Sequence, residues 1–422
     1  MQNQILKNWR KRKLGEVLSL IIDHRGKTPK KLGGNWSKNG IPALSAKNIK
    51  YGQIVNEKDI KFVSRELYEK WMPEKLEQGD ILMTSEAPLG ELFYLKSKAD
   101  YCLSQRLFGL RVNANILDSK FLYYYLFSSV GRRELFRRIS GTAAEGIRQS
   151  ELRQVELIFP EDINEQKRIA SILSAFDEKI EVNNKIIKTL EKIAQEIFKQ
   201  WFIKFRFPGW EKVKFVDSEL GKIPEGWEVK KLPEIFDFLE GPGIRNWQYT
   251  NSGCRFINIR LIQNNDIDIK SANFISIEEA NGKYKHFQLQ ERDMVVSTSG
   301  TLGRSAIVRK EHLPLLLNTS VIRFRPKDKQ NYTFMYQILN SDYFKNKLLT
   351  MASGSAQPNF GPIHLKQIKL LVPDKKTLDV FNNLVNPIYK RIITIKSENQ
   401  TLAALRDLLL PKLMSGEVRV II

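Results

Sequence analysis

Gly40-Ile41-Pro42-Ala43-Leu44-Ser45-Ala46-Lys47-Asn48-Ile49 is answered, later in the chain, by Gly253-Cys254-Arg255-Phe256-Ile257-Asn258-Ile259-Arg260-Leu261-Ile262. The two stretches pair residue by residue at the offset that separates Gly40 from Gly253. The same offset joins Asp80 to Asp293, Gly90 to Gly303 and Gly141 to Gly354. It also sets Phe121-Leu122-Tyr123 against Phe334-Met335-Tyr336, and Leu157-Ile158-Phe159-Pro160 against Leu370-Leu371-Val372-Pro373. Trp9 and Leu14 pair with Trp227 and Leu232 at a slightly larger offset, so the copies differ there by a short loop. A long repeat unit with divergent residues in one frame implies one fold used twice for two related, distinct tasks.

Outward from that frame, each copy is β-leaning at first. Ile81-Leu82-Met83-Thr84 and Met294-Val295-Val296-Ser297 read as short apolar strands, each entering a Gly-containing turn. A helix is expected around Phe121–Phe127 and around Phe334–Leu339. Turn-rich stretches, Gly141–Gly146 and Gly354–Gly361, precede an apolar strand that ends at proline.

After that proline the periodicity changes. Ile169, Leu173, Phe176, Ile180, Asn183, Ile187, Leu190, Ala194, Ile197 and Trp201 recur in steps of four and three, a heptad seam. The second copy repeats it through Phe381, Val385, Ile388, Ile392, Ile395, Asn399, Leu402 and Leu409, with Arg406 in one slot and Pro387 expected to kink or start the helix. Two such stripes are satisfied by packing the helices on each other, antiparallel. Asn183 and Asn399 occupy core slots; they either control register or are tolerated near a solvent-facing edge. The expected organisation is a recognition domain over 1–163, a long helix over 164–205, a linker over 206–221, a second domain over 222–376, a second long helix over 377–415 and a tail over 416–422. The fold class is α+β: two tandem pseudo-repeated α/β domains joined by two long antiparallel coiled-coil helices.

The net charge is +21, and it is unevenly placed. Residues 1–160 carry 28 Lys and Arg against 17 Asp and Glu, and residues 222–376 carry 23 against 15. The segments 161–221 and 377–422 balance, with 11 against 11 and 6 against 4. The positive field sits on the two copies, so a polyanion is the expected partner. No apolar run approaches the roughly 20 residues that span a bilayer. The start, Met1 to Trp9, has no apolar signal segment, and Cys102 and Cys254 are too few for a disulfide framework. The expected compartment is the cytoplasm, without membrane attachment.

No catalytic pattern emerges. There is no GxxxxGK(S/T) phosphate loop, and Gly241-Pro242-Gly243 is too short for a dinucleotide turn. His24, His286, His312 and His364 are scattered. Asp162 with Glu165-Gln166-Lys167 is too crowded to chelate a metal and reads as the solvated acidic start of the long helix. The chain reads as a non-catalytic reader of double-stranded DNA: two basic domains on a spacer, addressing two unlike half-sites across an unread gap. Base reading needs Arg toward guanine and Asn or Gln toward adenine, with Lys, hydroxyls and amides at phosphates. The loop-borne candidates in the first copy are Arg25, Lys27, Lys47, Asn48, Ser85, Gln105, Arg106, Thr142 and Arg148. In the second they are Arg245, Asn258, Arg260, Thr298, Ser299, Thr301, Arg304, Asn318, Gln357 and Asn359. Glu86 against Ser299 keeps the frame and changes the chemistry, a place where different bases are specified. A stand-alone bipartite regulator is the alternative. An RNA-binding adaptor ranks last, because Trp, Tyr and Phe mostly fall in apolar patterns.

These residues resemble the specificity subunit of Type I restriction–modification systems. The resemblance is carried by Trp9…Lys13-Leu14-Gly15-Glu16-Val17 and Ile223-Pro224-Glu225-Gly226-Trp227…Leu232, and by the turns Gly141-Thr142…Ile147 and Gly354-Ser355-Ala356-Gln357…Leu365. Glu165-Gln166-Lys167-Arg168-Ile169-Ala170 and the closing Leu410-Pro411-Lys412-Leu413-Met414-Ser415-Gly416-Glu417-Val418 complete the set. The first copy departs from it: Asn8-Trp9 lacks a Pro-x-Gly lead-in, and Thr142-Ala143-Ala144-Glu145 lacks the glutamine. The resemblance implies two target recognition domains on two long helices that bind two modification subunits, forming an S-adenosylmethionine-dependent adenine methyltransferase. ATP- and Mg-dependent restriction subunits complete the nuclease, so all three cofactors would belong to partners. Phe198, Trp201 and Phe202 are compatible with docking those partners, Trp201 more with internal packing.

Overall fold

The computed structural model describes residues 8–139, 145–352 and 359–420. The chain divides into two compact units, Met1–Glu181 with Asn399–Ile422, and Val182–Glu398. Each is built on the same plan.

In the first unit a four-stranded antiparallel sheet runs in the order Leu18–Asp23, Leu107–Val112, Ile81–Thr84, Leu92–Tyr94. Its central strand is apolar throughout because both faces are covered. Ile81 and Met83 enter a core with Phe121, Tyr125, Leu173 and Leu413, while Leu82 enters another with Val63, Tyr68 and Leu103. A smaller sheet, Lys61–Val63, Ile41–Leu44, Cys102–Leu103, includes one parallel pairing, Leu44 with Leu103. Trp9–Lys13 pairs antiparallel with Glu156–Pro160 and closes the unit.

The second unit repeats each piece. Its main sheet runs Phe236–Glu240, Val321–Pro326, Met294–Ser297, Ser305–Ile307. Met294 and Val296 face one core and Val295 the other. Its smaller sheet again has a parallel pairing, Phe256 with Leu316, and Glu228–Lys231 closes against Lys369–Val372. A buried ion pair recurs with the frame. Arg111 forks onto Asp80 at 2.9 and 2.8 Å, and Arg325 onto Asp293 at 2.7 and 2.7 Å. Each carboxylate also accepts a backbone amide, from Glu77 or Gln290. These bonds satisfy both buried charges, the condition under which such a pair is tolerated.

The helices expected after each proline are Ile163–Phe198, continued by a π-turn at Lys199–Ile203, and Lys375–Met414. Each contributes to both units. In the first, Ile169 and Leu173 share a core with Leu410, Leu413 and Met414. In the second, Ile187 and Ala194 share one with Phe381, Val385, Ile392 and Ile395. Asn183 Nδ2 donates to Glu398 Oε2 at 3.1 Å, whereas the Phe198 ring lies 6.2 Å from Phe381, so the two helices run antiparallel. Asn183 is buried. Arg406, the cation in a core slot, pairs with Asp177 and Asp407 and lies over the Phe127 ring.

Four expectations are corrected. Pro387 neither starts nor ends a helix; it is exposed on a continuous one, and Asn383, whose carbonyl loses its donor, is exposed too. Glu165 is not solvated: it is buried and pairs with Arg419 at 3.1 Å. Gln166 is fully buried, bonding the carbonyls of Ile116 and Pro160 and the amide of Asp118. Phe198 and Phe202 join Trp201 in packing against Phe334 and Phe381, so none of the three offers a free docking face. Among the described residues no helix is long and apolar enough to cross a membrane.

Candidate nucleic-acid interface

In both units the loops converge on one end of the main sheet. The hydroxyl ending the central strand organises the turn that follows. Thr84 Oγ1 donates to the Pro88 carbonyl and accepts the Glu91 amide at 2.8 Å; Ser297 Oγ donates to the Thr301 carbonyl at 2.6 Å and accepts the Arg304 amide at 2.9 Å. Gly90 and Gly303 close these turns with φ of 79° and 74°, conformations a Cβ disfavours.

In the first unit three further segments are tied to this turn. The Ser85 amide donates to the Arg106 carbonyl at 2.8 Å, and the Ile147 amide to the Ser85 carbonyl at 2.9 Å. Arg25 donates to the Ile147 carbonyl at 3.3 Å. Arg25, Ser85, Arg106 and Arg148 are thereby gathered at one end. Lys47 and Asn48 follow the smaller sheet's parallel strand, beside the Ser104 amide that binds the Leu44 carbonyl.

The second unit has the equivalent ties. The Thr298 amide donates to the Ser320 carbonyl at 2.9 Å, and the Phe360 amide to the Thr298 carbonyl at 3.3 Å. The Thr319 amide donates to the Pro242 carbonyl at 2.9 Å, and the Ile244 amide to Asn318 Oδ1 at 3.1 Å. Gly241 has to be glycine here, since a Cβ would stand 2.3 Å from the Asn318 carbonyl. Arg245, Thr298, Ser299, Thr301, Arg304, Asn318 and Asn359 therefore belong to one loop cluster.

Burial divides the candidates. Asn48, Ser85, Thr298 and Asn318 are buried, and they serve the loop framework. Asn48 Oδ1 accepts the Ser45 amide at 3.0 Å and the Ser45 hydroxyl at 2.9 Å. Ser85 Oγ and Thr298 Oγ1, one residue past the equivalent strand ends, are buried without a hydrogen-bond partner among the described residues. Arg25 is half-buried, forked onto Asp23 at 2.8 Å through both nitrogens and lying 4.1 Å over the Phe108 ring. Lys27 donates to the Trp71 carbonyl at 3.0 Å, and half-buried Asn258 has a buried Oδ1. Lys47, Gln105, Arg106, Arg148, Arg245, Arg260, Thr301, Arg304 and Asn359 are exposed, and Ser299 is half-exposed. Arg260 is steadied by the Ser271 carbonyl and Asn273 Oδ1, both at 3.0 Å. Thr142 and Gln357 lie outside the described residues.

The electrostatics of the two clusters differ. Arg106 pairs with Glu86 at 3.0 Å, while in the second unit Ser320 makes the backbone bond of Arg106 and Ser299 follows Thr298 as Glu86 follows Ser85. His312, fully buried in the second unit, accepts the Arg309 amide on Nδ1 at 3.1 Å; burial first, and then the Arg309 charge, lower its pKa to about 4. Two exposed aromatics were passed over in the sequence, Trp247 and Tyr51. Their neighbours Arg245 and Lys50 are the only hint, since aromatic residues elsewhere follow apolar patterns. Among the described residues no cluster of His, Cys, Asp and Glu is arranged to hold a metal ion.

The profile of the Type I restriction modification DNA specificity domain matches residues 6–192 and 224–400. The MjaIX Type I restriction enzyme specificity subunit of Methanocaldococcus jannaschii is 29% identical over 432 residues, covering 99% of this chain and 95% of that protein. The HindI specificity subunit of Haemophilus influenzae is 26% identical, covering 81% and 87%. The crystal structure of the Type I restriction–modification S subunit from M. genitalium superposes with a TM-score of 0.55 at 19% identity, over 98% of this chain and 97% of that one.

Proposed function

Because the chain belongs to the Type I restriction modification DNA specificity family, we propose how its two units divide the reading of one DNA site. The chain is a DNA specificity subunit, non-catalytic in itself, of a Type I restriction–modification system. A stand-alone regulator is not favoured by these relatives.

Each unit reads one half of a split, asymmetric double-stranded site with the loop cluster at the end of its main sheet. The observation that carries this reading is the pairing of one framework with two chemistries. The same hydrogen-bonded turn presents Glu86 and Arg106 in one unit and Ser299 and Ser320 in the other. Arg106, Gln105 and Arg148, and Arg245, Arg304 and Asn359, are the exposed donors suited to base edges. Lys47, Arg260, Ser299 and Thr301 suit phosphates, which supply register and most of the salt-dependent affinity. The inward-facing Arg25, Lys27, Asn48, Ser85, Thr298 and Asn318 hold the loops that present them, and so act on specificity through position.

The two recognition domains, 1–163 and 222–376, are spaced by the long helices, which act as a ruler. Two modification subunits, using S-adenosylmethionine, and ATP- and Mg-dependent restriction subunits are directed to the site in the cytoplasm. All three cofactors belong to those partners. Removing one heptad from each long helix shortens the ruler by about 10 Å at 1.5 Å per residue. The unread gap should shrink by about 3 base pairs, with both half-sites unchanged, when methylated motifs are mapped. Altered half-site bases at an unchanged gap would overturn the ruler.

A further inference from the structure

The most exposed large apolar side chains among the described residues are Trp247 at 81%, Ile363 at 74% and Tyr51 at 67%. Tyr51 stands in a turn, Trp247 in the 3-10 turn Asn246–Gln248 and Ile363 in the short helix Pro362–Leu365, and the last two belong to the second unit's cluster. Trp247 lies two residues beyond Arg245, on the segment bound to Asn318 and Thr319; Ile363 lies three beyond Phe360, whose amide is bound to Thr298. Tyr51 differs in that the Lys50 ammonium sits 4.8 Å over its ring.

An exposed indole leaves a large apolar surface in water, which folding normally removes. The tryptophan between the corresponding strands of the first unit is covered further: Trp36 is 41% exposed, tilts against Trp71 at 6.1 Å and has Lys61 5.1 Å over its ring. Trp247 is instead held out by a rigid turn. Gln248 is buried; its Oε1 accepts the Arg245 amide at 3.0 Å, and its Nε2 donates to Glu279 at 2.8 Å and to the Tyr284 hydroxyl at 3.0 Å. Next to it the Tyr249 ring packs on Phe256 at 5.1 Å. The two residues that follow the indole are thus anchored, as is Ile244 before it, while Arg245, Asn246 and Trp247 itself face solvent. A cation and an amide beside a fixed, uncovered aromatic face make a suitable platform for a nucleobase.

We propose that Trp247 is a base-contacting residue of the second unit alone, its indole packing against a base at a locally unstacked step of that half-site. Ile363 adds a second apolar contact from the same cluster. This inference rests on the two-unit reading above and adds to it a distortion of the DNA confined to one half.

The test uses the full chain and a duplex carrying its split site, identified by methylation mapping, with 2-aminopurine placed at successive steps of each half. Binding of the wild-type chain should raise the fluorescence at one step of the second unit's half-site only. Trp247→Ala should abolish that rise and weaken binding by about 5- to 150-fold. The slope of affinity against salt should not change, because no phosphate contact is lost. Trp247→Phe should recover part of the signal. Wild-type fluorescence and affinity in Trp247→Ala would overturn the inference and leave the two-unit reading standing. A wild-type chain that protects no split site would overturn both. Trp247 is exposed, so unchanged melting of the variant is expected and separates loss of contact from loss of fold.

Discussion

The turn after Thr84 and the turn after Ser297 share one hydrogen-bond pattern, organised by the same kind of hydroxyl and closed by a glycine of positive φ. One presents the Glu86–Arg106 ion pair; the other presents Ser299 and Ser320, with Trp247 standing free nearby in the cluster. Duplication preserved the framework, including the Asp80–Arg111 and Asp293–Arg325 pairs at the other end of the central strands, and let the outward loop residues diverge. Framework and readout are thus separable in this molecule. Substitutions that attack the first should cost stability in one unit, and substitutions in the second should change only what one unit reads.

The largest effect is expected at the framework. Asp293→Ala removes the carboxylate onto which Arg325 forks, at a cost of about 3 kcal/mol; Asp80→Ala costs less, because Arg111 keeps Glu77 and the Lys75 carbonyl. Hydrogen exchange resolved by segment should show only the mutated unit opening earlier. Equal loss of protection in both units would deny their independence.

Next is a difference in pH response. His312 has its pKa lowered to about 4 by burial, whereas the first unit has Ala99 at that position of the frame. The unfolded imidazole takes up its proton near pH 6.5. Between pH 6.5 and about 4 the unfolded chain therefore binds more protons than the folded one. Stability falls as the pH falls through that window, by about 3 kcal/mol in total. Buried His24 in the first unit is lowered by burial in the same direction, so both units should lose protection on acidification, the second, with the larger shift, by more. His312→Asn, whose side-chain oxygen can accept the Arg309 amide, should flatten the difference; an unaltered pH profile would rule out His312 as its source.

A smaller effect is expected at the readout. Glu86→Ser with Arg106→Ser gives the first turn the outward chemistry of the second. Discrimination at one base pair of the first half-site should drop by about 1–3 kcal/mol, with the second half-site untouched. Binding measured across a set of single-base variants of the site checks this; changes in both halves would mean that readout is not divided.

The repeated frame was legible because identical spacing survives divergence. Ile81–Thr84 and Met294–Ser297 form as read, since strands buried on both faces need unbroken apolar runs. The heptad seams were legible for the same reason, being local and periodic. Less could be read where a residue's role depends on a distant partner. The parallel pairing of Leu44 with Leu103 links segments that share no local pattern. Asn48 and Asn318 have the chemistry of adenine readers, yet the Asn48 oxygen accepts the Ser45 N–H of its own loop and the Asn318 oxygen the Ile244 N–H of a neighbouring loop. Gln166 looks like a polar residue at a helix start and is buried because two carbonyls and an amide meet it. Trp36 and Trp247 are the same residue type between corresponding strands, and only three-dimensional packing distinguishes the half-covered ring from the one left in solvent.

The central claim is that one chain reads two unlike half-sites, one with each unit. Long-read mapping of modified bases in the host genome, with the chain present and with it deleted, tests that claim most directly. The account predicts that deletion removes methylation at a single split, asymmetric motif, and that the Glu86→Ser, Arg106→Ser chain restores methylation with only one half of the motif relaxed. Methylation that is unchanged by deletion, or lost at a continuous or palindromic motif, would contradict it.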